Sequence, residues 1–326
     1  MKTNKAMSLL DRCRRPFQLL PVLAATLIHF SVHASVPDYV ALVTNTPNLV
    51  AYWHFDPVFQ TNSMVNGYQG TNMGAAIIGA AGTGLPLPYD PTNQALVLDG
   101  TNGFLCSNLY GQITNQGSVL AWLNLAVEPS TAGHFYQITA QSANGNDFDF
   151  QFQTDNSLYF FTDSGSCTIY APGISSNQWH LVGGTFVAGG TRAIYVDGVK
   201  VTNSTAGGHS VNNTHPLTIG ENIVFTGRHY KGKMSEVAIF NRALTAKEIG
   251  NIYAAGQPLF LNVTPAAGAN VLTWPTNFTG YVLQTNGNLA NASGWSNLPA
   301  AYSIVSTNYA FTNASGANRL FYRLVH

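Results

Sequence analysis

Residues 192–202 read RAIYVDGVKVT. Two β-branched runs are separated by only two residues, Asp197 and Gly198. A two-residue connection between strands takes a type I′ turn, in which both central residues adopt φ > 0; Asp tolerates this geometry and Gly adopts it freely. The stretch therefore predicts a tight hairpin, Arg192–Val196 against 199–202. The same pattern recurs along the chain. An apolar run at 95–98 meets Asp99-Gly100, and a new strand begins near Phe104. In NDFDFQFQ, Phe148, Phe150 and Phe152 alternate with Asp147, Asp149, Gln151 and Gln153, so rings and polar groups take opposite faces of one strand. Residues 118–127 are almost continuously apolar, as in a strand buried on both faces. LVAYWHF (49–55), a short segment at 75–78, HFYQITAQ, LYFFT, LTIGEN and GKMSEVAIFN add further strands.

Composition agrees with this reading. Charged residues make up 9% of the chain, against roughly 25% in an ordinary globular protein. Such a chain lacks the Glu–Lys pairs of exposed helices and suits many strands joined by polar turns. One helix is signalled after residue 244. Thr245 and Glu248 have capping-box spacing, Leu244, Ile249 and Ile252 supply an apolar face, and Gly256 is read as the terminator just past its end. Residues 35–48 suit a short helical turn before the first strand.

The N-terminus has the form of a secretory leader. Lys2, Lys5, Arg12, Arg14 and Arg15 precede an apolar run from Phe17 to about Val32, and Val32-His33-Ala34 places small residues where cleavage would occur. Residues 1–34 are thus read as a signal peptide, giving an extracellular or cell-surface protein with no membrane span in its mature chain. Without them, 9 Lys and Arg stand against 13 Asp and Glu, a poor balance for nucleic-acid binding. Cys106 and Cys167 remain, and in an exported chain they are candidates for one disulfide. After Pro258 the texture changes: residues 259–326 contain no Asp or Glu, and their short strands suggest a separate small all-β domain, 258–326, following a main domain at 35–257.

LVAYWHFD, ALVLDGTNGF, GSVLAWLNL, QWHLVGGTFVAGGTRAIYVDGVKV and GKMSEVAIFNRALTAKEIGNIYAAG occur in this order. The ordered set resembles the laminin G-like family of the concanavalin A-like lectin/glucanase superfamily, over about residues 38–257. The resemblance implies an all-β fold: an antiparallel jelly-roll β-sandwich with a concave face, one short C-terminal helix, and then the small all-β domain.

Three function classes follow: a non-catalytic module that binds a glycan or an extracellular protein, a structural or adhesive scaffold, and a glycoside hydrolase of the same superfamily. Hydrolases of this superfamily set acidic residues on one strand as Glu-x-Asp-x-(x)-Glu, which this chain lacks; Glu128, Glu221, Glu236 and Glu248 are isolated in sequence. Asp147 and Asp149, two residues apart, are the nearest substitute. No Gly-x-Ser-x-Gly, His-Glu-x-x-His or phosphate-binding glycine loop is present. No catalytic residue is therefore assigned. For binding, the polar face Asp147, Asp149, Gln151 and Gln153 offers hydrogen-bonding groups, with His134 and Tyr136 on the preceding strand as aromatic platforms. Trp53, Trp122 and Trp179 lie in apolar strands and read as core. No cofactor is assigned with certainty; Ca²⁺ is the metal candidate, at Asp99, Asp147 and Asp149, because calcium needs several hard oxygen ligands.

Overall fold

The computed structural model describes residues 38–325 apart from 88–89, 91, 142–146, 164–167, 205–210, 212–214, 258–259, 277–280, 299–301, 306–307 and 315–319. Residues 1–34, expected to be a signal peptide, lie outside the described residues. The chain opens with helix α1 (Tyr39–Asn45), capped by the Asp38 carboxylate, which accepts from the Val40 amide. Strands β1 (Leu49–Trp53), β2 (Gly70–Met73), β3 (Ile77–Ile78), β4 (Leu96–Asp99), β5 (Phe104–Ser107) and β6 (Gln116–Leu125) follow. A helical turn, α2 (Pro129–Ala132), leads to β7 (Tyr136–Gln141), β8 (Asp147–Phe152), β9 (Leu158–Asp163) and β10 (Thr168–Ala171). Next come β11 (His180–Val187), β12 (Arg192–Val196), β13 (Val199–Ser204), β14 (Leu217–Ile219) and β15 (Lys231–Phe240), then helix α3 (Ala246–Gly256). The last part holds β16 (Asn262–Ala266), β17 (Ala269–Pro275), β18 (Val282–Asn286), β19 (Ser296–Asn297), β20 (Ser303–Val305), β21 (Asn308–Ala314) and β22 (Phe321–Val325).

Two antiparallel sheets form the sandwich. The first runs β13-β12-β11-β6-β15-β4-β3, with β1 also paired to β15; the second runs β10-β9-β8-β7-β14-β5-β2. Phe148, Phe150, Phe152 and Phe160 of the second sheet are fully buried against Val119, Leu123, Phe186 and Ile239 of the first. Edge-to-face contacts such as Phe148 on Phe160, 5.7 Å apart at 86°, lock the rings. The alternation in NDFDFQFQ thus has its expected meaning. The outer face of the first sheet is also covered: Leu120, Trp122 and Phe240 share a buried cluster with Tyr39 and Val43 of α1 and with Ile249 and Ile252 of α3. This is why β6 reads as a nearly unbroken apolar run.

The Asp197-Gly198 turn has φ of 51° and 77°, as the hairpin requires. Helix α3 has both halves of the Thr245–Glu248 capping box. Arg242 adds two hydrogen bonds to Glu248, at 3.0 and 2.6 Å; they hold the carboxyl at about 2 against the opposing effect of desolvation. Gly256 does not act as expected. It is the last helical residue, and Gln257 after it has φ −67°, so no left-handed terminator is present. Glycine is needed there for space, since a Cβ would lie 2.6 Å from Trp122 Cζ2 and 3.0 Å from Tyr39 Cε2. The later strands form their own sheets, β16-β17-β21-β20 and β19-β18-β22, and Leu272, Trp274 and Leu283 belong to the same buried cluster as Trp122.

Cys106 is a free thiol on β5. Cys167, its expected disulfide partner, lies outside the described residues.

A buried ionic cluster ties segments of the first sheet together. Glu236, at a bulge in β15, is wholly buried and has φ +56°. Asn93 Nδ2 donates to its Oε1 at 2.7 Å, Ser235 Oγ does so at 3.1 Å, and the Tyr52 hydroxyl donates to Oε2. His54 Nδ1 lies 2.9 and 3.0 Å from the two Glu236 oxygens, while its Nε2 faces Asp90 at 3.3 Å. Burial opposes charge on His54, but the Glu236 hydrogen bond and the charges of Glu236, Asp56 and Asp90 outweigh it and hold the imidazole at about 9.

Two stability measurements follow. A histidine raised on folding adds stability that is full below its unfolded value near 6.5 and is lost as pH rises through about 9. Denaturant titrations should show stability falling across that interval by an amount on the order of 3 kcal/mol, and the slope should vanish in His54→Gln. For Gly256→Ala, the steric overlap with Trp122 predicts a loss of about 1–3 kcal/mol, rather than the gain usual for alanine inside a helix.

Candidate functional site

In an antiparallel sheet, residues paired across strands lie on the same face. Following register outward from β7, Gln137 pairs with Gln151, Gln151 with Tyr159, and Tyr159 with Tyr170. The next row runs Ala140, Asp149, Phe161. Both rows lie on the outer face of the second sheet, away from the phenylalanine core. One end of this face is polar and the other aromatic. At about 4.8 Å per strand, the first row spans roughly 14 Å.

The polar end is roofed by residues 221–229. Asn222 Nδ2 donates to Asp149 Oδ2 at 2.9 Å, and Arg228 Nη1 donates to Gln151 Oε1 at 2.6 Å. The roof is held by Glu221, whose Oε1 accepts from the Asn222 and Arg228 amides at 2.8 and 3.0 Å and whose Oε2 meets His229 Nδ1. The Gln137 amide donates to the Arg228 carbonyl at 2.8 Å. The Arg228 guanidinium sits over Phe135 and Phe225, 5.5 and 5.1 Å from their ring centres. Asp149 and Gln151 are consequently each only 3% exposed. The aromatic end is open. Tyr159 and Phe161 are half-buried and stacked at 6.0 Å and 14°, and Tyr170, 57% exposed, meets Tyr159 edge-on at 5.2 Å.

Several expected site residues are placed differently. Asp149 and Gln151 do share one face, but under the roof rather than in solvent. Asp147 extends β8 opposite Asp163. Gln153 falls just beyond β8, where its carbonyl accepts from the Asn156 amide and its own amide donates to Ser157. Tyr136 is no platform: it pairs with Phe152, so register turns it into the core, where burial pushes its hydroxyl up to about 12. His134 precedes β7, half-buried, with its ring 5.2 Å from that of Tyr136. The aromatic platforms that sequence reasoning missed are Tyr159, Phe161 and Tyr170; the alternation in LYFFTD, opposite the core residues Leu158 and Phe160, is the signal that could have found them.

The calcium candidates are not gathered. Asp99 ends β4 in the first sheet and Asp149 lies on β8 in the second. The Asp99 carboxylate is occupied by its own turn, accepting from the Thr101 hydroxyl and the Thr101, Asn102 and Gly103 amides, and these hydrogen bonds lower it to about 2. Among the described residues, no group of three or more His, Cys, Asp or Glu side chains could hold a metal ion.

The sheet order, the hairpin and the capped helix can now be set beside known proteins. The family model described as the concanavalin A-like lectin/glucanases superfamily, of laminin G type, matches residues 98–250. This segment is similar to laminin G-like domains. The match falls inside the 38–257 region marked out by the ordered motifs, and β1, outside the matched span, completes its first sheet through β15. No curated protein matches the chain. Among solved structures, the botulinum neurotoxin serotype D ligand-binding domain in complex with N-acetylneuraminic acid is similar with TM-score 0.53 and 10% identity, covering 86% of this chain and 81% of that one. That share exceeds what residues 1–257 alone could supply, so the likeness reaches the strands after the laminin G-like domain. The binding domain of Paraclostridial Mosquitocidal Protein 1 is similar with TM-score 0.53 and 13% identity, covering 74% of this chain and 62% of that one. At these identities the likeness concerns the fold.

Proposed function

We propose that the laminin G-like domain binds carbohydrate on the outer face of its second sheet and does not hydrolyse it. The observation that carries this reading is the row Gln151–Tyr159–Tyr170 beside Asp149–Phe161. Tyr170 and the uncovered parts of Tyr159 and Phe161 offer ring surface to the C–H faces of a sugar, beside the roofed polar end of the same face. The same broad fold holds N-acetylneuraminic acid in the botulinum domain, which supports the idea that such a frame can serve sugar recognition.

The absence of hydrolysis is argued from what the carboxylates already do. Glu221 fastens the roof, Glu236 is wholly buried beneath four donors, Glu248 caps α3, Glu128 accepts from Asn156 Nδ2 at 2.9 Å, and Asp99 closes its own turn. A hydrolase of either stereochemistry needs two carboxyl groups free to face one glycosidic bond. We further read residues 1–34 as a leader that exports the protein and residues 258–326 as a second domain. Among the described residues no helix is long and apolar enough to cross a membrane.

A glycan panel tested on the purified protein, in calcium and in chelator, decides the matter. Binding should persist in chelator, and Tyr170→Ala and Tyr159→Ala should each weaken it about tenfold, equivalent to about 1.4 kcal/mol. Binding untouched by both variants would remove this face from the account. Release of reducing ends that disappears in Asp149→Asn would show a hydrolase instead.

A further inference from the structure

A cavity of about 390 Å³ lies on the other side of the molecule, between the β12–β13 turn, the start of β11 and the end of α3. Its size falls within the roughly 300–1,000 Å³ of small-molecule sites. Trp179, Tyr253 and Phe260 supply aromatic walls, while Gln178, Gln257 and Asp197 supply polar groups. Trp179 and Tyr253 are half-buried and Phe260 is 59% exposed, so ring surface remains uncovered. Tyr253 is itself backed by Trp122, stacked at 5.6 Å and 16°.

The polar wall is held in place before any ligand arrives. Asp197 Oδ1 accepts from the Leu181 amide at 3.1 Å, and its Oδ2 lies 2.7 Å from His180 Nδ1. The other imidazole nitrogen, Nε2, lies 2.8 Å from Ser175 Oγ. Gly198 brings the turn against the helix so closely that a Cβ there would stand 2.9 Å from Tyr253 Cβ. The tight hairpin thus builds one wall and the helix the other.

We propose that this cavity is a second ligand site, which takes a neutral sugar unit. Three aromatic walls beside two amides and a carboxylate match a ring with apolar C–H faces and a hydroxyl edge. A purely apolar ligand would cover these polar groups without offering them a hydrogen bond in place of water, at a cost in binding. The lining contains one carboxylate, paired with the His180 imidazole, and no lysine or arginine, so no permanent cation is there to favour an acidic sugar such as N-acetylneuraminic acid. The inference goes beyond the outer-face reading and stands independently of it, because the two sites lie on different sheets and share no residue.

The test is calorimetric titration of the purified protein with neutral disaccharides (cellobiose, maltose, lactose, N,N′-diacetylchitobiose) and with N-acetylneuraminic acid as the acidic control. At least one neutral sugar should bind, with affinity reduced tenfold or more in Phe260→Ala and in Gln257→Ala, and unchanged in Tyr170→Ala. Phe260 is exposed enough for its variant to remain folded, which near-ultraviolet circular dichroism would confirm. No neutral sugar binding, binding that survives both cavity variants, or equal binding of the acidic control would overturn the proposal. Sensitivity to Tyr170→Ala alone would assign the sugar to the outer face and leave no case for the cavity.

Discussion

A buried carboxylate organises the first sheet. Glu236 sits in the middle of β15, the strand that pairs with β1, β4 and β6, and it occupies a backbone conformation that glutamate rarely adopts. Such strain persists only where the surroundings over-determine it. Here Tyr52 and His54 approach from β1 and the residues just after it, Asn93 from the loop before β4, and Ser235 from the same bulge. A lone buried charge would be severely unfavourable, but with a charged histidine and several donors it fixes which segments must meet. Its removal would leave the partners stranded, so the cluster confers a unique arrangement more than net stability.

The two outer faces of the sandwich are treated in opposite ways. The first sheet is covered on its outer side by α1, α3 and the cluster containing Leu272, Trp274 and Leu283, and it keeps an aromatic-lined cavity near the hairpin turn. The polar end of the second sheet is covered by residues 221–229, through bonds to Asp149 and Gln151. Its aromatic end remains accessible. Both proposed sites fall where the described helices and loops leave the sheets uncovered, and rigid strands set the spacing of the groups that remain.

The sheet elements were legible because period-2 alternation and Asp-Gly turns are local signals. NDFDFQFQ identified the core side of β8, and the capping box located α3 to the residue. The site was less legible because it depends on register between distant segments. That Tyr136 faces Phe152, and hence the interior, follows from a pairing that no local pattern encodes. The burial of Asp149 depends on Asn222, more than seventy positions later. Glu221 and Glu236 look solitary in sequence for the same reason: their partners are contributed by other strands and loops. Gly256 stands exactly where a helix terminator is expected, yet what it satisfies is the nearness of Trp122.

The pairing of β1 with β15 sets Leu49 opposite Phe240. The cost of closing a loop grows with its length and must be met before distant contacts repay it, so topologies of this kind fold slowly. Ala51, Tyr52 and Trp53 can find their sheet only after nearly two hundred further residues have been synthesised. Until then, some of the most apolar side chains of the protein have no place to go. The vulnerable interval for this molecule is consequently its birth, when an orphan strand needs shielding, and not its working life.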